Sequence, residues 1–158
     1  MPEEIASTPA KPKLTAAYVI YAAQVALNKN MLQAAHFDGE AAHFDGEAVG
    51  CKYRSVKDGV QLVCIVGAAL TNEMAKACDS QPDTSWQGVK SKFDTTQEDK
   101  LLINAMQKFH DRIHGLDAPA TIKYAVLEVF LSSMWNSQKY SALAEAEVLY
   151  NQIQPLNN

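Results

Sequence analysis

Residues 51–70 read CKYRSVKDGVQLVCIVGAAL, and the order of signals within them decides what kind of domain the chain builds. Two β-prone runs, 51–56 and 60–66, flank Lys57-Asp58-Gly59. Asp-Gly favours a two-residue hairpin turn, whose central positions both need positive φ. With Asp58 and Gly59 at the centre, Lys57 faces Val60, Tyr53 faces Cys64 and Cys51 faces Val66. Cys51 is then diagonal to Cys64, about 7–8 Å away and too far for an easy disulfide. Gly67-Ala68-Ala69-Leu70 opens a helix expected to run through Met74 and Ala77 to Cys78. A lone hairpin is marginal in water, so it must lie on helices or pair with another strand or chain.

The flanks of the hairpin are helical in pattern. Upstream, Leu14, Tyr18, Tyr21 and Val25 recur at helical spacing, and Val19, Ile20, Ala23, Ala26 and Leu27 widen the apolar surface. That helix is expected to be buried on most sides and to run to Gln33 or a little further. Downstream, residues 79–94 are polar and read as an exposed, mobile connection anchored by Trp86 and Phe93. Thr95 and Glu98 form a capping box for a helix whose stripe is Leu102, Met106, Phe109 and Ile113, with Gly115 placed to end it. A helix over 120–135 carries Ile122, Val126, Leu127, Val129, Phe130, Leu131 and Met134 around most of its circumference, which marks it as the central helix. A last helix over 140–154 packs Ala142, Ala146, Leu149, Tyr150 and Ile153 and turns Glu145 and Glu147 outward. The expected fold is α+β and mainly α-helical, with about five helices and one β-hairpin between the first and second helix. Residues 14–154 form one globular domain, between a flexible tail at 1–13 and a short one at 155–158.

Residues 35–41, AHFDGEA, are repeated at once as residues 42–48. Removing one seven-residue copy from 158 leaves 151, and each copy carries one Asp and one Glu, so one copy accounts for half of the net charge of −4. Asp38-Gly39 and Asp45-Gly46 favour turns, so residues 34–48 read as a loop holding a duplication, with a helical extension as the competitor. A chain of 158 residues, 47% hydrophobic and 20% charged, is long enough to bury a core without a disulfide or metal staple. Its acidic balance argues against coating nucleic acid by charge alone. The longest apolar stretch, residues 16–27, is well short of the roughly 20 needed to cross a bilayer, so no membrane association is expected. Three cysteines without close pairs fit a reducing compartment, and the expected location is cytoplasmic.

Few side chains gather in patterns that carry chemistry. His110 and His114 stand four apart on a helix, the spacing that lets two imidazoles share a metal ion, with His36, His43 or a cysteine as the third ligand. They fall about 70° and 110° from the centre of the apolar stripe, so the preferred reading is two boundary histidines near a helix C-terminus, where a positive charge is favourable. His110-Asp111 matches the dipeptide of metal-dependent phosphohydrolases, but adjacent helical side chains diverge by about 100°, which turns Asp111 towards water. Cys64, just ahead of a glycine-led helix, and Cys78, near a helix end, are candidate reactive thiols; a buried structural role competes for Cys64. Lys52 and Arg54 alternate onto one face of the first strand around Tyr53, with Lys57 at the turn and Lys108 and Arg112 four apart on a helix, as a set that could touch phosphates. A solvated hairpin face explains the same residues. The doubled His-Phe-Asp-Gly-Glu lacks the spacing of a calcium loop.

The run Cys51-Lys52-Tyr53, the Asp58-Gly59 turn and Cys64-Ile65-Val66-Gly67-Ala68-Ala69-Leu70 resemble a group of small bacterial and phage proteins in which a strand, a turn and a Cys-x-x-Gly-Ala-Leu-type run lead into a helix. Trp135-Asn136, Glu145 and Val148-Leu149 are similar to that group's Trp/Phe-Asn-Asp and closing helix, with Ser137 in place of the usual acid. The resemblance implies a bacterial or phage origin and no particular activity.

The sequence shows no nucleophile–base pair, phosphate loop or complete ligand set, so no catalytic residue and no cofactor is expected. The leading expectation is a non-catalytic interaction or regulatory domain acting through a protein partner or self-association. The alternatives are a small metal- or thiol-dependent enzyme using His110, His114 and a cysteine, and a nucleic-acid binder acting through Lys52 and Arg54.

Overall fold

The computed structural model describes residues 11–36 and 52–157. Its elements are α1 (Ala16–Asn28), α2 (Gln33–His36), β1 (Arg54–Lys57), β2 (Val60–Val63), α3 (Asn72–Asp79), α4 (Trp86–Val89), α5 (Gln97–His114), α6 (Ala120–Asn136) and α7 (Tyr140–Ile153). The fold is mainly helical with one antiparallel hairpin, as expected. Among the described residues there are seven helices rather than about five, and the hairpin follows the second helix rather than the first. Both differences come from one-turn helices. The duplicated segment lies outside the described residues apart from Ala35 and His36, which end α2.

α1 is the central element. Nine of its thirteen residues are buried, including Tyr18, Val19, Ile20 and Leu27, and it packs against α5, α6 and α7. Thr15 caps it by accepting the Tyr18 amide at 3.1 Å. Asn30, at φ 57, ends it early. Asn is one of the few side chains that tolerates this left-handed conformation. The chain then turns into Met31 and Leu32, where the Val63 amide donates to the Met31 carbonyl at 2.8 Å and Leu32 bridges Val63 in parallel. The outer edge of β2 is thereby covered from within the chain.

The hairpin has the expected register, with Lys57 opposite Val60 and Arg54 opposite Val63. Asp58 at φ 52 and Gly59 at φ 79 supply the two positive φ angles of its turn. Asp79 covers the free edge of β1, accepting the Tyr53 amide at 2.8 Å and the Arg54 amide at 3.4 Å. After β2 the helix does not run straight through. Gly67–Ala69 form a short 3-10 turn, Leu70 is extended, and Thr71 caps a new helix by accepting the Met74 amide. Gly67 is required here because a Cβ on it would overlap the Tyr53 carbonyl.

Trp86 and Phe93 anchor residues 79–94 as expected, joined by Val89, while the other side chains of the segment are exposed or half-buried. All three anchors are buried, the Trp86 and Phe93 rings stack at 6.0 Å, and the Trp86 indole donates to the Lys100 carbonyl at 3.0 Å. Residues 12–14 bracket Asp94, whose amide donates to the Pro12 carbonyl and whose carbonyl accepts from the Leu14 amide. The cap of α5 is Thr96, which accepts the Asp99 amide at 3.1 Å, one residue later than the pattern suggested. Residues 155–157 form a 3-10 turn with Pro155 buried.

Candidate functional site

The buried face of α5 is made of Ile103, Met106, Gln107, His110, Ile113 and His114. At 100° per residue its centre is His110, about 70° round from the Leu102/Met106/Phe109/Ile113 stripe. His110 and His114 are therefore core residues, not boundary ones; His110 is wholly buried. Their rings lie nearly parallel with centroids 6.1 Å apart. His110 Nε2 accepts the Ala34 amide at 3.3 Å, so in the neutral ring the proton sits on Nδ1, which faces Asp111 Oδ1 at 3.4 Å. The two adjacent side chains meet despite their divergence on the wheel. Binding a metal through Nε2 would require His110 to release the Ala34 amide. Among the described residues no three His, Cys, Asp or Glu side chains are grouped to hold a metal ion.

Burial holds the His114 imidazole down to about 4, with the charges of His110 and Lys123 adding to the effect and the Gln33 backbone carbonyl opposing it. Lys123 is itself buried, donates to the His114 carbonyl at 3.2 Å, and is held below the usual lysine range by burial, with Asp117 opposing. Gln107 accepts the Val66 amide at 3.2 Å and donates to Asp111 at 3.0 Å. Gln33 donates to the Lys52 carbonyl at 2.9 Å and the Ser55 hydroxyl at 3.1 Å. A connected polar network thus runs from β1 through α2 to α5 and α6. Sequence reasoning missed Gln33, Gln107 and Lys123, whose residue types normally signal surface.

Cys64 and Cys78 are free and buried. Burial pushes the Cys64 thiol far up, outweighing the Gly67 amide that donates to its sulfur at 3.2 Å. Burial also pushes Cys78 up to about 11, against the pull of Lys92. Cys51 lies outside the described residues. Lys52 is exposed, but Arg54 is not available beside it. Its guanidinium donates to Asn72 Oδ1, the Leu70 carbonyl and the Pro155 carbonyl, which ties β1 to the start of α3 and to the carboxy-terminal turn.

The largest departure from the sequence reading is α6. Its buried residues are Lys123, Leu127 and Leu131, whereas Ile122, Val126 and Val129 are 53%, 37% and 69% exposed. These three stand at i, i+4 and i+7, one exposed stripe along the helix. Lys123 points inward, so Glu128 is the one charged side chain on the exposed part of this helix. Phe109 and Phe130 stack at 3.9 Å where α5 meets α6. A cleft of about 420 Å³ lies elsewhere, between residues 82–87 and α5, with Tyr53, Trp86, Asn104, Lys108 and Asp111 on its wall. Among the described residues no helix is long and apolar enough to cross a membrane. Comparison with protein-family models, curated proteins and solved structures finds no match to this chain.

Proposed function

We propose that the chain is a non-catalytic protein-interaction domain whose docking surface is the outward face of α6. The observation that supports this reading is the stripe of Ile122, Val126 and Val129 on a helix face that carries one charge. A helix side that faces only water normally carries many charges, and contiguous exposed apolar surface marks interaction sites. The neighbours Thr121, Ala125, Ser132 and Ser133 are small or uncharged, which suits close approach of the apolar side of another helix.

The test combines a photo-crosslinking side chain at Val129 with light scattering over a range of concentrations. Crosslinking at Val129, absent when the same group is placed at exposed Lys139 and abolished by Ile122→Lys, is the expected result. Self-association would appear as a rise in mass with concentration that Ile122→Lys removes. A strict monomer with no crosslink specific to Val129 would sink the proposal.

A further inference from the structure

We propose that the apolar cavity between residues 12–14 and α7 binds a small, uncharged, mainly apolar molecule carrying one hydrogen-bond acceptor, to which the Tyr18 hydroxyl donates. The cavity measures about 350 Å³, within the range of small-molecule sites. It is separate from the outward face of α6 and does not depend on it. The buried part of its lining is Leu14, Tyr18, Ala69 and Phe93, joined by half-buried Met74 and Leu149. The charged side chains that line it, Lys13 and Glu145, are exposed and pair with each other at 3.6 Å.

Tyr18 is what separates this cavity from a gap in the packing. Among the described residues its buried hydroxyl has no hydrogen-bond partner, although a buried tyrosine hydroxyl usually finds one. Leaving such a group unpaired costs its full desolvation, and a ligand that supplies the acceptor recovers that cost. Burial, with Tyr150 adding to it, holds the Tyr18 hydroxyl well above the usual tyrosine range, so it keeps its proton and donates. The hydroxyl is closed off from solvent, so a bound molecule reaches it by displacing part of the wall. Met74, unbranched and adaptable, is the lining side chain suited to yield.

The same lining sets the class of ligand. An apolar cavity of about 150 Å³ holds one benzene ring, so this one takes a somewhat larger apolar body. Its buried lining carries no charge, and Lys13 and Glu145 neutralise each other, so an ionised molecule would lose its hydration without gaining a counter-charge. An exposed pair of this kind contributes little, so parting it to admit a ligand costs little.

The test uses two probes of matched shape, acetophenone with a carbonyl acceptor and isopropylbenzene without one, titrated into the full chain and followed by methyl NMR. Saturable shifts at Met74 and Leu149, with Val129 on α6 unmoved, are expected for both. In Tyr18→Phe the affinity for acetophenone should fall about five-fold, the worth of one ordinary hydrogen bond, while that for isopropylbenzene is kept. Should Tyr18→Phe fail to fold, intermolecular nuclear Overhauser effects in the wild-type chain decide: the acetophenone methyl group should reach the Tyr18 ring. No saturable shift with either probe, shifts at Val129 equal to those at Met74, an unchanged acetophenone-to-isopropylbenzene ratio in folded Tyr18→Phe, or no contact with Tyr18 would each overturn the proposal.

Discussion

Arg54 was a candidate for touching phosphates, yet its guanidinium is committed to three acceptors within the chain, and replacing it separates the two roles. In Arg54→Met the aliphatic stem is retained while the donors to Asn72, Leu70 and Pro155 are lost. Hydrogen bonds from a charged donor contribute roughly 1.5–3 kcal/mol each, and two of the acceptors are backbone carbonyls with no alternative partner supplied by methionine. The three bonds share one half-buried head group, so they do not add in full, and the expected loss is about 2–4 kcal/mol. For a chain of this length that is a fall in melting temperature of roughly 5–12 °C. Arg54→Lys should recover only part of it, since an ammonium keeps the charge but cannot span three acceptors as a planar fork does. Lys52→Ala, on an exposed side chain, should leave the melting temperature within about 2 °C of wild type. The assay is urea and thermal unfolding of the three variants, with a gel shift against single- and double-stranded oligonucleotides at low salt. The clamp reasoning fails if Arg54→Met unfolds within about 0.5 kcal/mol of wild type, or if it leaves stability intact and abolishes a salt-sensitive shift.

Other consequences of the structure can be checked in the same way. Gly67→Ala puts a methyl group into the Tyr53 carbonyl; a loss of at least about 3 kcal/mol in chemical denaturation is expected, and a neutral result would mean the turn after β2 yields easily. Cys64 and Cys78 should resist alkylation at pH 8 in the native state, mapped by mass spectrometry, and react once urea unfolds the chain. At pH 8 a thiol held at about 11 is about one part in a thousand thiolate. Rapid native labelling of Cys78 would contradict that burial. Asn30→Gly should be neutral within about 0.5 kcal/mol and Asn30→Val should cost about 1–2 kcal/mol, because only the latter resists φ 57. Equal stabilities would show that Asn30 does not set the end of α1.

The parts of this fold that were legible in sequence are those fixed by local backbone chemistry. Asp58-Gly59 dictates a two-residue turn, and the turn dictates the register of every pair up to Arg54 and Val63. α1 was legible because its apolar residues exceed one stripe. What failed was the assignment of faces. On α5, hydropathy aimed the helix with Leu102 and Phe109 inward, whereas burial of Gln107, His110 and His114 rotates it. On α6, apolar residues on both sides suggested a central helix, because a core-facing valine and a partner-facing one have the same side chain. The position of Lys123 separates the two sides, and that position depends on a contact with His114 that no local pattern encodes.

These failures share a location, and the coincidence explains why α2 exists. If α1 continued without interruption to Gln33, as its apolar run suggests, Gln33 would have no geometric reason to meet Lys52 and Ser55, nor Ala34 to meet His110. Each of those groups is a polar atom in the interior, expensive unless bonded. The break at Asn30 lets all of them pair at once, and it also brings Met31 and Leu32 to the open edge of β2. Hydrophobic burial alone does not distinguish a straight α1 from a broken one. The polar network does, because only the broken chain satisfies it, so its role is to select one path for the backbone rather than to add bulk stability.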